Sequence, residues 1–166
     1  MAFDYKKEFP EFYKAKESAI IVSLPAINFL YTDSADRETS LISFAKFLRT
    51  KKDVSGYFDY VLPPLEKLYM KKHTRLMIRL PEFFRFSDVE NALKEKSLSD
   101  IGFFRYEEGF SVQILKTGSS QVLTKEKRIL AEYAERYGYK TAADDRFLHE
   151  IQIGKDKRII RLPISL

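Results

Sequence analysis

The sequence of 166 residues contains no cysteine and no tryptophan, and its only histidines are His73 and His149. Without cysteine, disulfide bonds and thiolate metal sites are excluded. A zinc centre built on the two histidines would need carboxylates at a suitable spacing, and the sequence shows no such pattern. We therefore expect neither a metal ion nor another cofactor.

Long apolar runs are also missing. The N-terminal residues 1–8 are rich in charge, and no apolar stretch follows them, so neither a secretory signal nor a membrane span is predicted. The surplus of 29 basic over 24 acidic residues is small, and the two signs are interspersed along the chain. No nucleic-acid-binding motif accompanies this charge. The expectation is a cytoplasmic protein with no membrane contact, for which nucleic acid is not a favoured partner.

Hydrophobic residues make up 45% of the chain and aromatic residues 14%, which is enough for a packed core. The apolar periodicity and the turn residues predict a series of alternating strands and helices. A capping box of Ser87 and Glu90 is predicted to begin the middle helix. The predicted strands are 20–22, 28–31, 65–70, 75–80, 101–107, 110–116, 147–153 and 158–164, with Pro25 and the turn Glu108-Gly109 as breaks, and the predicted helices are 37–51, 88–97 and 122–137.

Several segments recur at a nearly constant spacing. Ile78-Arg79-Leu80-Pro81 returns as Ile160-Arg161-Leu162-Pro163, 82 residues later, and the two longer helices are separated by a similar distance. This repetition predicts one domain, 1–166, made of two pseudo-repeats at about 18–83 and 100–166. The predicted class is α+β: duplicated strand–helix–strand units forming an antiparallel sheet, with helices on one face and a ligand groove on the other.

Each half carries one acidic residue on the strand before its Arg-Leu-Pro strand, Glu66 and Glu150, 84 residues apart. Because side chains alternate across a strand, Glu66 shares its face with Leu68 and Met70, and Glu150 shares its face with Gln152. Two related halves would bring both acids to a common groove. A carboxylate there could attract a lipophilic cation or act as a base of raised pKa towards water.

The alternative interpretation is that both acids are ordinary strand residues, exposed or paired with Arg79 and Arg161. His149 lies on the apolar face of its strand and is interpreted as a packed core residue rather than a ligand.

Five blocks of the sequence together resemble the GyrI-like small-molecule-binding family, over about residue 18 to the end. They are Pro64-Leu65-Glu66-Lys67-Leu68-Tyr69, Leu76-Met77-Ile78-Arg79-Leu80-Pro81-Glu82-Phe83, Tyr106-Glu107-Glu108-Gly109, Gln113-Ile114-Leu115 and His149-Glu150-Ile151.

The resemblance implies a duplicated α+β fold with a groove between the halves. The family includes ligand-sensing domains of multidrug-responsive regulators, a gyrase-modulating protein, and stand-alone hydrolases of cyclopropane-bearing genotoxins. By resemblance, Glu150 corresponds to the groove acid, and Glu66 corresponds to the acid of the Pro-Leu-Glu block. Tyr69-Met70 stands where the enzyme-like members commonly have Trp-Trp, and Gln152 stands where a tyrosine is usual.

Further departures from the family pattern concern the first long helix and one rim of the groove. Ile42 and Lys46 occupy helix positions where tyrosines are usual, and a segment usually found between Met70 and Lys71 is missing.

Three hypotheses follow. The leading one is binding of a lipophilic molecule, cationic or neutral, by ligand-binding residues Glu150, Glu66, Tyr69, Met70 and Gln152. The second is hydrolysis of a strained electrophile, with catalytic Glu150 activating water and catalytic Tyr69 orienting or protonating. The third is a protein-interaction role, such as modulation of a DNA-processing enzyme. The partner is a small-molecule ligand in the first two, and a homodimer or a protein partner stays open.

Overall fold

The computed structural model describes residues 1–166 and contains seven β-strands and five α-helices. The helices are α1 (Tyr5–Glu8), α2 (Pro10–Tyr13), α3 (Glu38–Leu48), α4 (Phe86–Glu95) and α5 (Thr124–Arg136). The strands are β1 (Ile20–Thr32), β2 (Leu65–Tyr69), β3 (Thr74–Arg79), β4 (Gly102–Thr117), β5 (Lys140–Thr141), β6 (Leu148–Gly154) and β7 (Lys157–Ser165). The fold class is α+β, as predicted. No helix is both long enough and apolar enough to cross a membrane.

Six of the strands form a barrel-like sheet in which every neighbouring pair is antiparallel. The order is β4-β1-β3-β2-β6-β7, and β7 also pairs with β4, which closes the ring. Short β5 extends the sheet beyond β7. Closure gives each strand an inner face and an outer face, and side chains alternate between them.

The strand order is the same in the two halves of the chain. The first half is arranged β1-β3-β2 and the second half β4-β7-β6, and the halves meet along β1–β4 and β2–β6. Arg79 in β3 and Arg161 in β7, the repeated arginines of the sequence, occupy corresponding central strands.

Helices cover the outer face over two of the strand pairs. Helix α3 packs on β1 and β3 through Leu41, Phe44 and Leu48, and α5 packs on β4 and β7 through Leu130 and Ala134. Both sets follow the helical i, i+3/i+4, i+7 spacing. The inner face is lined by a third apolar group that includes Phe29, Leu68, Met77 and Tyr106. Neither long helix packs on β2 and β6, so the outer face of that pair lies between α3 and α5.

Two strands run through the breaks that the sequence predicted. Strand β1 continues across Pro25, and β4 continues across Glu108 and Gly109. These positions face each other, between the pairs Leu24↔Gly109 and Ala26↔Glu107. Pro25 has no N–H to donate to β4, and the Glu108 carbonyl accepts instead from Arg146 Nη1 at 3.1 Å. The predicted turn at Glu108-Gly109 was therefore wrong, because a side chain replaces the missing ladder bond.

The middle helix begins earlier than predicted. Helix α4 starts at Phe86, and the Asp88 carboxylate accepts from the backbone N–H of Arg85 at 2.8 Å. The predicted pair of Ser87 and Glu90 is already inside the helix, so the acidic half of the cap is Asp88 rather than Glu90.

The N-terminal segment closes one end of the ring. The carbonyl oxygen of Phe12 accepts from Arg161 Nη2 at 2.8 Å, and that of Lys14 accepts from Gln113 Nε2 at 3.1 Å. The Arg79 guanidinium lies 4.4 Å from the ring centroid of Tyr5, in cation–π geometry. Arginines of both central strands thus contact the same segment.

Candidate functional site

The two acids predicted to share a groove lie on opposite faces of the β2–β6 pair. On the outer face, Lys67 is paired with Glu150. On the inner face, Glu66 is paired with Ile151 and Leu68 with His149. The structure therefore separates Glu66 from Glu150.

The reason is a difference of one residue between the two spacings. Glu66 pairs with Met77, which the 82-residue repeat relates to Ile159, and the partner of Ile159 is Ile151. The structural counterpart of Glu66 is thus Ile151, and Glu150 is its neighbour on the other face. A shift of one residue along a strand always changes the face.

Glu150 is held at the base of the outer face between α3 and α5. Its Oε1 accepts from the Tyr69 hydroxyl at 3.0 Å and from Arg158 Nη1 at 3.1 Å. Its other oxygen, Oε2, lies 3.9 Å from Lys67 Nζ, beyond hydrogen-bond distance. The Glu150 side chain is only 3% exposed, whereas that of Lys67 is 30% exposed. One oxygen is fixed by the protein, and the other faces the more open side.

The charges around Glu150 do not leave a bare anion. Two cations, Arg158 and Lys67, lie beside the single carboxylate. Arg158 is itself held by the carbonyl of Ser120 in the loop before α5. Burial, reinforced by the negative charge of Glu150, raises the pKa of Tyr69 far above its usual value. Tyr69 is therefore a neutral donor at physiological pH, and the local charge does not favour a cationic ligand.

The remaining predicted site residues divide between the two faces. Gln152 lies two residues after Glu150 on β6, is exposed, and donates to the Gly154 carbonyl at 2.7 Å. Met70 instead lies beside Leu68 at the mouth of the ring. The structure brings together Glu150 and Tyr69, with Gln152 along the same strand, and it places Glu66 and Met70 elsewhere.

The inner face holds a buried network centred on His149. Its Nε2 lies 2.7 Å from Glu66 Oε1, and its Nδ1 lies 2.7 Å from Glu108 Oε2. Arg161 Nη1 donates to the other oxygen of Glu108 at 3.0 Å. Two carboxylates and two cations, all nearly inaccessible to solvent, thus link β2, β4, β6 and β7.

The network keeps His149 charged. Burial alone would lower the pKa of His149, but the charge of Glu108 and the hydrogen bonds to both carboxylates outweigh it and raise the pKa to about 9. Burial would also raise the pKa of Glu108, yet the charges of His149 and Arg161 hold it below its usual value. Both ring nitrogens of His149 are therefore donors at neutral pH.

A small cavity of about 10 Å³ adjoins this network. Glu66 Oε2 is buried and has no hydrogen-bond partner in the protein. The cavity has about the size that one water molecule needs, and Tyr13 and Tyr106 contribute to its wall. The interior can hold a water on Glu66, and it has no room for a larger molecule.

Sequence reasoning missed Glu108 and Arg158 as members of these clusters. Glu108 was interpreted as part of a turn, and Arg158 was not considered. A signal for Arg158 exists in the alternation of β7, which places it two residues from Ile160 on the outer face. His149 is buried as predicted, but its environment is ionic rather than simply apolar. No group of three or more His, Asp or Glu side chains is arranged to hold a metal ion.

Comparisons with known proteins match the fold to several solved structures. No protein-family model and no curated protein matches the chain. The crystal structure of a hydrolase from Listeria innocua is similar, with 26% identity and a TM-score of 0.86 over 98% of this chain and 100% of that one. A Listeria innocua structure described as an uncharacterized conserved protein gives 26% identity, a TM-score of 0.84 and the same coverage. The C-terminal domain of EcmrR shares the fold, at 14% identity and a TM-score of 0.56 over 89% of this chain and 97% of that one.

Proposed function

We propose that the protein hydrolyses a small electrophilic molecule, bound over β2 and β6 between α3 and α5, with Glu150 as the general base. The observation that carries the proposal is the asymmetry of the Glu150 carboxylate. Oε1 is fixed by Tyr69 and Arg158, and Oε2 makes no hydrogen bond within the protein. The likeness to a Listeria innocua hydrolase along the whole chain supports the same reaction class.

The proposed fold context is a GyrI-like domain formed by an internal duplication. The repeated Ile-Arg-Leu-Pro segments and the matching strand orders of the two halves support it. In this context β2–β6 is the seam between the repeats at 18–83 and 100–166. Its outer face is the groove that two facing helices border.

The proposed chemistry needs only water and the residues at the seam. Glu150 Oε2 accepts a proton from a bound water while the water oxygen forms a bond to the electrophilic carbon. The bond from that carbon to its leaving atom breaks, and the leaving atom keeps the electron pair and takes a proton from Tyr69. Tyr69 then regains a proton from Glu150 through their hydrogen bond, so the net change is the addition of one water.

The substrate class follows from the charges. Because Arg158 and Lys67 outnumber Glu150, a neutral or anionic electrophile suits the site better than the cationic ligand considered from the sequence. A strained ring such as an activated cyclopropane or an epoxide fits this description, since its opening releases negative charge that Lys67 can stabilise.

Turnover is tested by incubating the protein with an activated cyclopropane and an epoxide and following the gain of one water by mass spectrometry. We expect Glu150→Gln to lower kcat by about 10²–10⁴-fold, the usual contribution of a general base. Tyr69→Phe should lower it less. The exposed Glu135→Gln in α5 is the control and should leave kcat unchanged. Turnover that survives Glu150→Gln intact would refute the assignment of the base.

The second candidate is binding without turnover, and one observation favours it. The Glu150 carboxylate is almost completely buried, which restricts the approach of water. If the wild-type protein turns over no electrophile but binds such molecules in calorimetry, and Glu150→Gln weakens that binding, the protein is a binding protein rather than a hydrolase.

A further inference from the structure

A second concave surface lies at the mouth of the ring, on the inner side of the sheet. It is an open groove of about 520 Å³, and its apolar wall consists of Leu68, Met70, Phe104, Tyr106 and Phe147. Leu68 is directly opposite His149 on the inner face, whereas Glu150 points to the outer face. This mouth groove is therefore distinct from the proposed hydrolytic site.

The size and wall of the mouth groove are those of a small-molecule site. Ligand pockets usually enclose about 300–1,000 Å³, and barrel mouths are frequent locations for them. The rings of Phe104 and Tyr106 lie 6.1 Å apart on β4, and Phe147 stands just before β6. Aromatic side chains from separate segments thus offer flat apolar surfaces to one space.

The arginines at the mouth are already neutralised. Arg75 donates to Asp33 through Nε at 2.7 Å and Nη2 at 2.9 Å, and its guanidinium lies 4.8 Å from the ring centroid of Phe104. Arg146 is paired with Asp144 at 2.9 Å. The other charged residues at the rim, Arg105, Glu107 and Asp145, are exposed to solvent and of mixed sign. The groove therefore provides no buried unpaired charge for an ionic ligand.

One polar group of the wall keeps a free donor. The Tyr106 oxygen accepts from the backbone N–H of Phe147 at 3.2 Å, which leaves the hydroxyl hydrogen available. Burial, with the charge of Glu108 next in effect, raises the pKa of Tyr106 well above its usual value, so the hydroxyl stays protonated. A carbonyl group on a ligand is a suitable acceptor for this hydrogen.

We propose that the mouth groove is a binding site for a neutral, planar aromatic molecule that carries a carbonyl acceptor. The aromatic walls hold its ring system, and the Tyr106 hydroxyl donates to its carbonyl. Binding here requires neither Glu150 nor turnover.

The test uses Nile red, a neutral planar dye with a carbonyl group, whose fluorescence increases in apolar surroundings. Titration of the wild-type protein should give a saturable increase. Phe147→Asp should weaken binding more than 10-fold, because it places a charge in the apolar wall, and Tyr106→Phe should weaken it about 3- to 10-fold through the loss of one hydrogen bond. Circular dichroism confirms that each variant is folded, and Tyr106→Phe tests the proposal even if Phe147→Asp fails to fold.

Two controls separate this site from other surfaces. Phe110→Asp makes the same change at a phenylalanine of β4 that is 54% exposed and outside the groove wall, and it should leave the dissociation constant unchanged. Glu150→Gln should also leave it unchanged. The absence of saturable binding, or an equal loss in either control, would overturn the mouth groove as the site, whatever the outcome of the turnover experiment.

Discussion

At the scale of single residues, His149 shows how an apolar strand position can hold a charge. Its ring nitrogens each lie 2.7 Å from a carboxylate, Glu66 on one side and Glu108 on the other. Arg161 balances the second negative charge. An uncompensated charge at this depth would cost several kcal/mol, so the members of the network depend on one another.

The protonation of His149 predicts how stability changes with pH. Because its pKa is raised from 6.5 to about 9 in the folded state, its contribution is complete below about pH 6.5 and is lost as the pH rises through about 9. Urea unfolding at pH 6, 7.5 and 9 should show a loss of a few kcal/mol across this range.

A matched pair of histidine variants checks the source of this loss. His149→Phe leaves two buried carboxylates without their partner and should cost about 3–5 kcal/mol at pH 6, with no further decline towards pH 9. His73→Phe, at a histidine whose side chain is 39% exposed, should keep both the stability and the pH slope of the wild type. The same slope in His149→Phe would show that another group titrates.

At the scale of elements, the sequence predicts most strands and helices but not which way the seam strands face. The periods of β2, β3, β6, β7 and α5 are strong, and the structure has these elements within one or two residues of the prediction. The side of Glu150 depends on a one-residue difference between two repeat spacings, which alternation alone cannot reveal. The hydrogen bond between Tyr69 and Glu150 arises only when β2 and β6 pair, and those strands are about 80 residues apart.

Local signals failed where a distant residue supplied the missing interaction. Pro25 and Gly109 are typical strand breakers, yet Arg146 satisfies the Glu108 carbonyl and both strands continue. Nothing in the sequence near Pro25 indicates Arg146. For the same reason the sequence could not place Glu108 in the interior.

The start of α4 gives a prediction at the scale of one element. Asp88→Ala removes the acceptor for the Arg85 N–H and should lower the free energy of unfolding by about 1 kcal/mol. Glu90→Ala, two residues further along and exposed, should change it by less than about 0.5 kcal/mol. Chemical denaturation of both variants measures the difference. Equal losses would restore the capping box predicted from the sequence.

At the scale of the whole molecule, the ring of six strands is sealed at one end by residues that precede it. Tyr5 and Tyr13 are buried there, and Arg79 contacts both. The opposite mouth stays open as the groove of Leu68 and Phe104. The molecule thus has a closed end, an open end, and the separate Glu150 site on the outside of its seam.

Removal of the sealing segment tests its weight in the fold. Deletion of residues 1–13 exposes the apolar surface under Tyr5 and Tyr13 and should lower the free energy of unfolding by about 3–6 kcal/mol. Deletion of the exposed residues 1–2 is the control and should have little effect. Thermal denaturation followed by circular dichroism distinguishes them. A shorter chain with unchanged stability would mean that the segment covers the ring without supporting it.

Two of the bonds that fasten the N-terminal segment use only its main chain. Arg161 and Gln113 bind the carbonyl oxygens of Phe12 and Lys14, and every amino acid carries such an oxygen. Mutations at these two positions can therefore accumulate without unfastening the segment. Relatives of this protein could share the same seal while their first residues look unrelated, and only the arginine and the glutamine at the receiving end would reveal it.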